Sequence, residues 1–132
     1  MKKVIHTSGK RKTAIARATL KNGTGRVIIN GKNLDKYAPE LYKLRIKEPL
    51  LLAGNLASKV NISVKVFGGG YASQTDAIRL AIARALAEHD EKLKSTFMDY
   101  DRLLLVADVR RKEPTKPNRQ GKARSKRQKS YR

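Results

Sequence analysis

The residues with the clearest chemistry in this sequence are its lysines and arginines, which gather in two places. A first group, Lys10-Arg11-Lys12, follows Ser8-Gly9 near the start of the chain. A second group lies in residues 110–132, which hold eleven basic residues and one acidic residue, Glu113. An arginine guanidinium can bind a phosphate through two parallel hydrogen bonds, and a lysine supplies a mobile point charge. Both groups therefore indicate contact with a polyanion.

The charge of the whole chain supports the same conclusion. Its 132 residues contain 31 Lys and Arg against 11 Asp and Glu, a formal net charge of +20, of which half belongs to residues 110–132. Such a surplus repels itself unless a polyanion neutralises it. Nucleic acid is the partner that this composition predicts, with an anionic membrane surface a distant second.

Several other kinds of site are excluded by composition. The chain has no cysteine, so it offers neither a disulfide framework nor a thiolate zinc site, and its two histidines have no metal-ligand spacing. No apolar run approaches the roughly 20 residues that span a bilayer, and the first residues lack the apolar region of a signal peptide. We expect a cytoplasmic protein with no metal and no cofactor.

A glycine triplet, Gly68-Gly69-Gly70, stands between a predicted strand and a predicted helix. Glycine permits the positive φ angles that a sharp turn needs. Amide groups at the start of a helix also form a natural phosphate site. Two interpretations are open at this stage: a tight strand–helix turn, or a turn that also binds an RNA phosphate.

The segment 60–89 around these glycines must position the rest of the chain. Its first part alternates apolar and polar residues with the period of a half-buried strand. Its last part carries apolar residues at the helical period, after Ser73 and Asp76 in the spacing of a capping box. The residues on one helical face are Ile78, Ala81, Ile82, Ala85 and Leu86. The opposite side also carries apolar residues, Leu80, Ala83 and Ala87. This pattern predicts a helix that is covered on both sides by other parts of the protein.

The segments on either side of residues 60–89 have a less regular pattern of apolar residues. Strands are predicted at 5–7, 13–20 and 26–29, helical stretches after Pro39, after Pro49 and from Asp90, and a short strand or extended segment at 103–106. Residues 110–132 contain almost no apolar side chain, so they cannot bury enough surface to offset their chain entropy. We therefore expect a globular nucleic-acid-binding body over residues 1–109 and an extended basic C-terminal tail over residues 110–132.

Three stretches of the sequence together resemble the small-subunit ribosomal protein S9 family. They are SGKRKTAIARATLKNGTGRVIINGK, FGGGYASQTDAIRLAIARAL and the ending QGKARSKRQKSYR, in that order, so that the likeness covers nearly the whole chain. The turn 71–74 and the final Ser-Tyr-Arg resemble the archaeal and eukaryotic branch. The resemblance implies an α/β (α+β) two-layer domain, with a mixed β-sheet, helices packed on one side and a long basic tail.

The resemblance also implies the partners. The family sits on ribosomal RNA in the head of the small subunit, among neighbouring head proteins, and its tail reaches the peptidyl site, where the tip meets the anticodon arm of transfer RNA. Carried onto this sequence, the ribosomal RNA-binding residues are Lys10, Arg11, Lys12, Arg17, Lys65, Gly68, Gly69, Gly70, Arg79, Arg84, Arg110, Arg111, Lys112, Lys116, Arg119, Lys122, Arg124, Lys126 and Arg127. The transfer RNA-binding residues are Lys129, Ser130, Tyr131 and Arg132. Neither a membrane nor a second copy of the chain is expected as a partner.

Some of these roles have a simpler alternative. Arg79 and Arg84 stand between the two apolar faces of the helix, where arginines often serve only to make a helix soluble. Tyr131 is either a residue that stacks on a base or a spacer.

Two other function classes share some of these features. A chromatin-like DNA binder would share the charge but has no need of a long tail at one end of an α/β core. A small kinase would need a phosphate loop, yet Gly9-Lys10 is followed by Arg11, so the pattern GxxxxGK[ST] is absent. We therefore expect a structural RNA-binding protein and not an enzyme.

Overall fold

Five strands form one mixed sheet in this computed structural model, which describes residues 4–37, 39–118 and 123. The strands are β1 (Ile5–Arg11), β2 (Ala14–Asn22), β3 (Val27–Ile29), β4 (Lys32–Asn33) and β5 (Val60–Phe67). Their order across the sheet is β1-β2-β5-β3-β4. The β2 strand pairs antiparallel with both β1 and β5, whereas β3 lies parallel to β5.

Three helices complete the fold: α1 (Glu40–Ala53), α2 (Tyr71–His89) and α3 (Lys92–Tyr100). Short 3-10 segments occupy Leu34–Lys36, Gly54–Lys59 and Arg102–Leu104. The α2 helix packs on β1, β2 and β5, and it is itself contacted by α1, α3 and the last 3-10 segment. Side chains of the three long strands alternate between this packed face and an exposed face. The predicted fold class, an α+β domain with a mixed sheet and helices on one side, is confirmed.

The segment 60–89 is the centre of the core, as its pattern predicts. The four alternating residues of β5 are buried, and so is the whole apolar face of α2. Leu80, Ala83 and Ala87 on the other side of α2 are also buried, at 3%, 0% and 6% exposure. The prediction of a helix covered on both sides is therefore confirmed.

The capping box predicted at Ser73 and Asp76 is wrong. The α2 helix begins earlier, at Tyr71, with Gly70 at the N-cap and no side-chain cap. Asp76 already lies within the helix, and its carboxylate faces Arg45 at 3.1 Å and Arg11 at 3.8 Å. The glycine turn, not a capping side chain, starts this helix.

Three other boundaries differ from the pattern. The β1 strand continues to Arg11 because it pairs with β2 along its full length, from Ile5↔Leu20 to Arg11↔Ala14. The two helical stretches predicted after Pro39 and after Pro49 form one helix, α1, which contains Pro49. Residues 102–104 form a 3-10 turn and not a strand, since the Asp101 carboxylate accepts a hydrogen bond from the Leu103 amide at 3.0 Å.

Gly9 lies where β1 and α2 approach most closely. A Cβ atom at this position would fall within 3.0 Å of the Ala77 carbonyl oxygen and the Ala81 amide nitrogen, both of them backbone atoms. Beside it, the Thr7 hydroxyl donates to the Ala81 carbonyl at 2.8 Å. The small residue at this position is thus required by the packing of the helix on the strand.

We expect Gly9→Ala to lower the free energy of unfolding by about 1–3 kcal/mol, because backbone atoms have to shift to admit the methyl group. Gly70→Ala is the matched control, since a Cβ there meets open space and its φ of −106° is ordinary, so that only the modest preference of an N-cap for glycine over alanine is lost. Urea unfolding of the two variants measures the difference. Equal stability of both would contradict the close approach described for Gly9.

Candidate nucleic-acid interface

The turn between β1 and β2 divides the basic group 10–12 between two environments. Lys12 has a φ of +54°, an uncommon conformation for a residue other than glycine, and its side chain is exposed, like that of Lys10. The Arg11 side chain is only 14% exposed and lies 3.5 Å from the carboxylate of Asp108. The tight turn thus directs two cations outward and one inward.

Asp108 holds the first residues of the basic tail against this turn. Its carboxylate accepts hydrogen bonds from the Arg110 amide at 3.0 Å and from Arg110 Nη2 at 2.7 Å. The hydrogen bonds from Arg110, and then the charge of Arg11, hold the pKa of Asp108 well below its usual range. The same hydrogen bonds raise the pKa of Arg110. We call Asp108, Arg110 and Arg111 the tail root.

The sign of these shifts sets the pH range over which the tail root is stable. A carboxyl group with a lowered folded-state pKa stabilises the folded form fully above its unfolded pKa of about 3.9. That contribution is lost only as the pH falls through the lower folded value. The tail root therefore remains formed at neutral and moderately acidic pH.

The two arginines of α2 both contact the body of the protein. Arg84 donates to the Leu105 carbonyl at 3.1 Å and to the Ser8 carbonyl at 2.9 Å, which joins β1 to the segment before the tail root. Arg79 is 5% exposed and donates from Nε to Glu48 at 2.9 Å and from Nη2 to Asp101 at 3.1 Å. Arg79 thus connects α2 with α1 and the end of α3, which favours a structural role.

A groove of about 840 Å³ lies between the β1–β2 turn and the tail root, and we call it the tail-root groove. Its lining residues are Lys10, Lys12, Thr13, Ile15, Arg110, Arg111 and Lys112. Five of these seven residues are cations, and none of the described residues that line it is acidic. An adjoining cavity of about 260 Å³ shares Lys10 and Arg110 with it. Arg11, which also lines that cavity, has a buried Nη1 with no hydrogen-bond partner among the described residues.

The exposed face of the sheet carries the other two predicted cations. Arg17 of β2 and Lys65 of β5 are directly opposite each other in the antiparallel register, and both are exposed. The Arg17 guanidinium lies 5.9 Å from the ring centroid of Phe67. We call the outward side chains of β1, β2 and β5 the open sheet face.

The glycine turn has a conformation that explains two of its three glycines. Gly68 and Gly69 have φ values of +81° and +65°, and a Cβ on Gly68 would collide with the Thr13 carbonyl. The Gln74 side chain closes the turn by donating to the Gly68 carbonyl at 3.1 Å and accepting from the Tyr37 hydroxyl at 2.8 Å. Burial, and then the neighbouring Tyr71, raises the pKa of Tyr37. A phosphate at the helix start stays a prediction.

Sequence patterns did not identify two important residues of this surface. Asp108 has no place in the basic pattern, although an acidic residue two positions before a basic run is a visible signal. Phe67 was not singled out either, because it ends an alternating strand and its exposure of 51% depends on which elements cover that end.

Some predicted residues cannot be placed. The residues Arg119, Lys122, Arg124, Lys126, Arg127, Lys129, Ser130, Tyr131 and Arg132 lie outside the described part of the chain. Lys116 is within it and pairs with Glu113 at 2.8 Å.

Within residues 4–37 and 39–118, no group of acidic or histidine side chains is arranged to hold a metal ion. Over the same residues, no helix is both long and apolar enough to cross a membrane.

Fold and charge together define a small, strongly basic α+β domain, with exposed cations gathered on one sheet face and at the root of a basic terminal segment as well as elsewhere on its surface. Residues 9–132 match the family model described as ribosomal protein S9/S16, and the chain belongs to that family. It is similar to the small ribosomal subunit protein uS9 of Methanococcus maripaludis strain C7, with 50% identity over 98% of this chain and 99% of the relative. The uS9 protein of Methanococcus vannielii is 49% identical over the same shares. The resemblance stated from three sequence motifs is confirmed.

Proposed function

We propose that this protein is a structural component of the small ribosomal subunit, where it binds ribosomal RNA in the head. The relatives that match over nearly their full length are named as small ribosomal subunit proteins. Its partners are then ribosomal RNA and neighbouring head proteins of a cytoplasmic ribosome. It has no enzymatic role in this proposal. The basic tail extends the function by reaching the peptidyl site and contacting the anticodon arm of transfer RNA.

The tail-root groove is the observation that carries the RNA-binding part of the proposal. It brings together cations from the start of the chain and from residues 110–112, which are far apart in sequence. A phosphodiester backbone presents closely spaced negative charges, and lysine and arginine bind such charges with a release of counterions. Ile15 and the aliphatic stems of the lysines add an apolar floor on which a ribose can pack.

The basic residues divide into two groups in this proposal. Lys10, Lys12, Arg110, Arg111 and Lys112 contact phosphates from the tail-root groove, and Arg17 and Lys65 do so from the open sheet face. The engaged arginines Arg11, Arg79 and Arg84 shape the surface from within. The tail root sets the direction in which the basic segment leaves the body, because Asp108 holds Arg110 next to the β1–β2 turn.

The double variant Lys10→Gln/Lys12→Gln tests the groove. Each lost phosphate contact is expected to reduce the slope of log affinity against log salt by roughly 0.7–0.9, so the pair should reduce it by about 1.4–1.8. The probe is a ribosomal RNA fragment from the small-subunit head, with duplex DNA as competitor. The matched control is Lys92→Gln/Lys94→Gln, two exposed lysines of α3 outside the lining of the groove.

The proposal is supported if the slope of log affinity against log salt falls in the groove variant and not in the control. Equal slopes for both double variants would show that any surface lysine serves equally and that the groove is not a site. Preferential displacement by duplex DNA would favour the chromatin-like alternative.

The tip of the tail is tested separately, since its residues lie outside the described part of the chain. Deletion of residues 129–132 should permit subunit assembly and weaken transfer RNA binding in the peptidyl site by about 1–3 kcal/mol, the scale of one or two charge-assisted hydrogen bonds. The measurement is the dissociation of transfer RNA from purified subunits that carry the truncated protein. Unchanged dissociation of transfer RNA from fully assembled subunits would show that the tail binds only ribosomal RNA.

A further inference from the structure

Phe67 is a large aromatic residue that lies half exposed in a strongly basic neighbourhood. It is the last residue of β5, and its ring is 51% exposed. The register places Phe67 opposite Ile15, and Arg17, two residues further along β2, reaches back over the ring. The ring is therefore held in position by the sheet without being covered by it.

Arg17 connects this ring to a shaped and charged surface, which Phe67 itself does not line. A shallow cavity of about 590 Å³ runs across the open sheet face between β1, β2 and β5. Its lining includes His6, Ser8, Arg17, Thr19, Ser63 and Lys65. The polar groups can donate or accept hydrogen bonds, and none of the described residues in the lining carries a carboxylate. The His6 ring is oriented by a hydrogen bond of 3.2 Å with the Thr19 hydroxyl.

This combination fits one kind of ligand. A flat aromatic face stacks on a nucleobase, a guanidinium that lies over the ring stacks on the base or binds the adjoining phosphate, and hydroxyl groups reach the base edge or the ribose. Open sheets that bind RNA elsewhere use aromatic side chains on their strands in the same way, and the bases they bind are unpaired. A base inside a duplex exposes no face to a protein ring.

We propose that the open sheet face is a binding site for an unpaired RNA nucleotide, with the base stacked on Phe67 and the flanking phosphates beside Arg17 and Lys65. The inference rests on the proposed RNA-binding function and adds to it a site of different specificity. The tail-root groove recognises a phosphate backbone of any pairing state, whereas the open sheet face selects an unstacked base.

A unique fluorophore makes the site directly observable. The chain has no tryptophan, so Phe67→Trp introduces its only indole. Stacking on a base quenches indole emission, whereas contact with phosphate alone does not bring a π system against the ring. The probes are a short single-stranded oligoadenylate and an abasic oligonucleotide of the same length and charge. Tyr100→Trp is the matched control, since Tyr100 is an aromatic residue of similar exposure (55% against 51%) that lies on α3 and not on the sheet.

Quenching of the indole at position 67 by oligoadenylate, with little quenching by the abasic strand or at position 100, is the expected result. Phe67→Leu should weaken oligoadenylate binding by about tenfold, the lower part of the range measured for one stacked base, and should leave the salt slope and duplex RNA binding unchanged. Phe67→Tyr retains the ring and should bind as the unsubstituted protein does.

Other outcomes overturn the inference. Equal quenching by oligoadenylate and the abasic oligonucleotide would show that the open sheet face binds phosphate and not a base. Quenching by polyglutamate in place of RNA would assign the face to an acidic protein partner. Unchanged affinity of Phe67→Leu would exclude stacking while leaving the tail-root groove intact. Failure of the unsubstituted protein to bind any RNA would instead overturn the proposed function, and this inference with it.

Discussion

Removal of residues 110–132 is expected to make RNA binding much less dependent on salt, lowering the slope of log affinity against log salt by several units. The segment holds eleven of the 31 lysines and arginines and half of the formal net charge of +20. Each neutralised phosphate contributes roughly 0.7–0.9 to the slope, so loss of even half of these contacts changes affinity by orders of magnitude at low salt. The measurement is a salt titration of binding to a small-subunit head RNA fragment.

The appropriate control keeps the tail at full length and replaces its lysines and arginines by glutamine. This variant separates the loss of charge from the loss of chain. It should reproduce the effect of truncation on the slope. The thermal unfolding of the body should change little in both proteins, because the pair that Arg110 forms with Asp108 is solvent-exposed on the arginine side and contributes little stability. An unchanged slope would show that residues 110–132 do not bind RNA in solution, and a large loss of stability would show that they pack on the body.

The second large effect is expected from the ion pairs around Arg79. This side chain is 6% exposed, and its two carboxylate partners, Glu48 and Asp101, are 30% and 37% exposed. The double variant Glu48→Ala/Asp101→Asn leaves the guanidinium buried without a counter-charge. We expect it to lower the free energy of unfolding by about 3–5 kcal/mol, since an uncompensated buried charge is costly. The asparagine retains an oxygen that can cap the Leu103 amide.

Two further variants establish that charge is the cause. Adding Arg79→Met to the double variant should recover much of the lost stability, because an apolar side chain of similar length needs no counter-charge. Asp35→Asn removes an exposed partner of Lys47 and should change stability by less than about 1 kcal/mol. A weakened salt slope of RNA binding in Arg79→Met alone, with no change in stability, would contradict the structural role of Arg79.

The sequence determined those properties that depend on local pattern and composition. The alternation in residues 60–66, the glycine triplet and the helical period that follows predict one unit, and the structure has that unit at Val60–Phe67 and Tyr71–His89. These patterns suffice because the period of a strand or helix is fixed by backbone geometry. The charge of the terminal segment likewise predicts a polyanionic partner without any knowledge of the fold. Three motifs in order identified the family.

The tertiary structure alone decided which cations are available to a ligand. Lys10, Arg11 and Lys12 are equivalent in sequence, yet the strand pairing and the positive φ of Lys12 direct Arg11 towards Asp108 and the other two outward. Arg79 looks like an exposed helix arginine until α1 and the end of α3 bring two carboxylates to it. The physical reason is the same in both cases. The environment of a charge is set by residues distant in sequence, and their positions follow from strand register and helix packing.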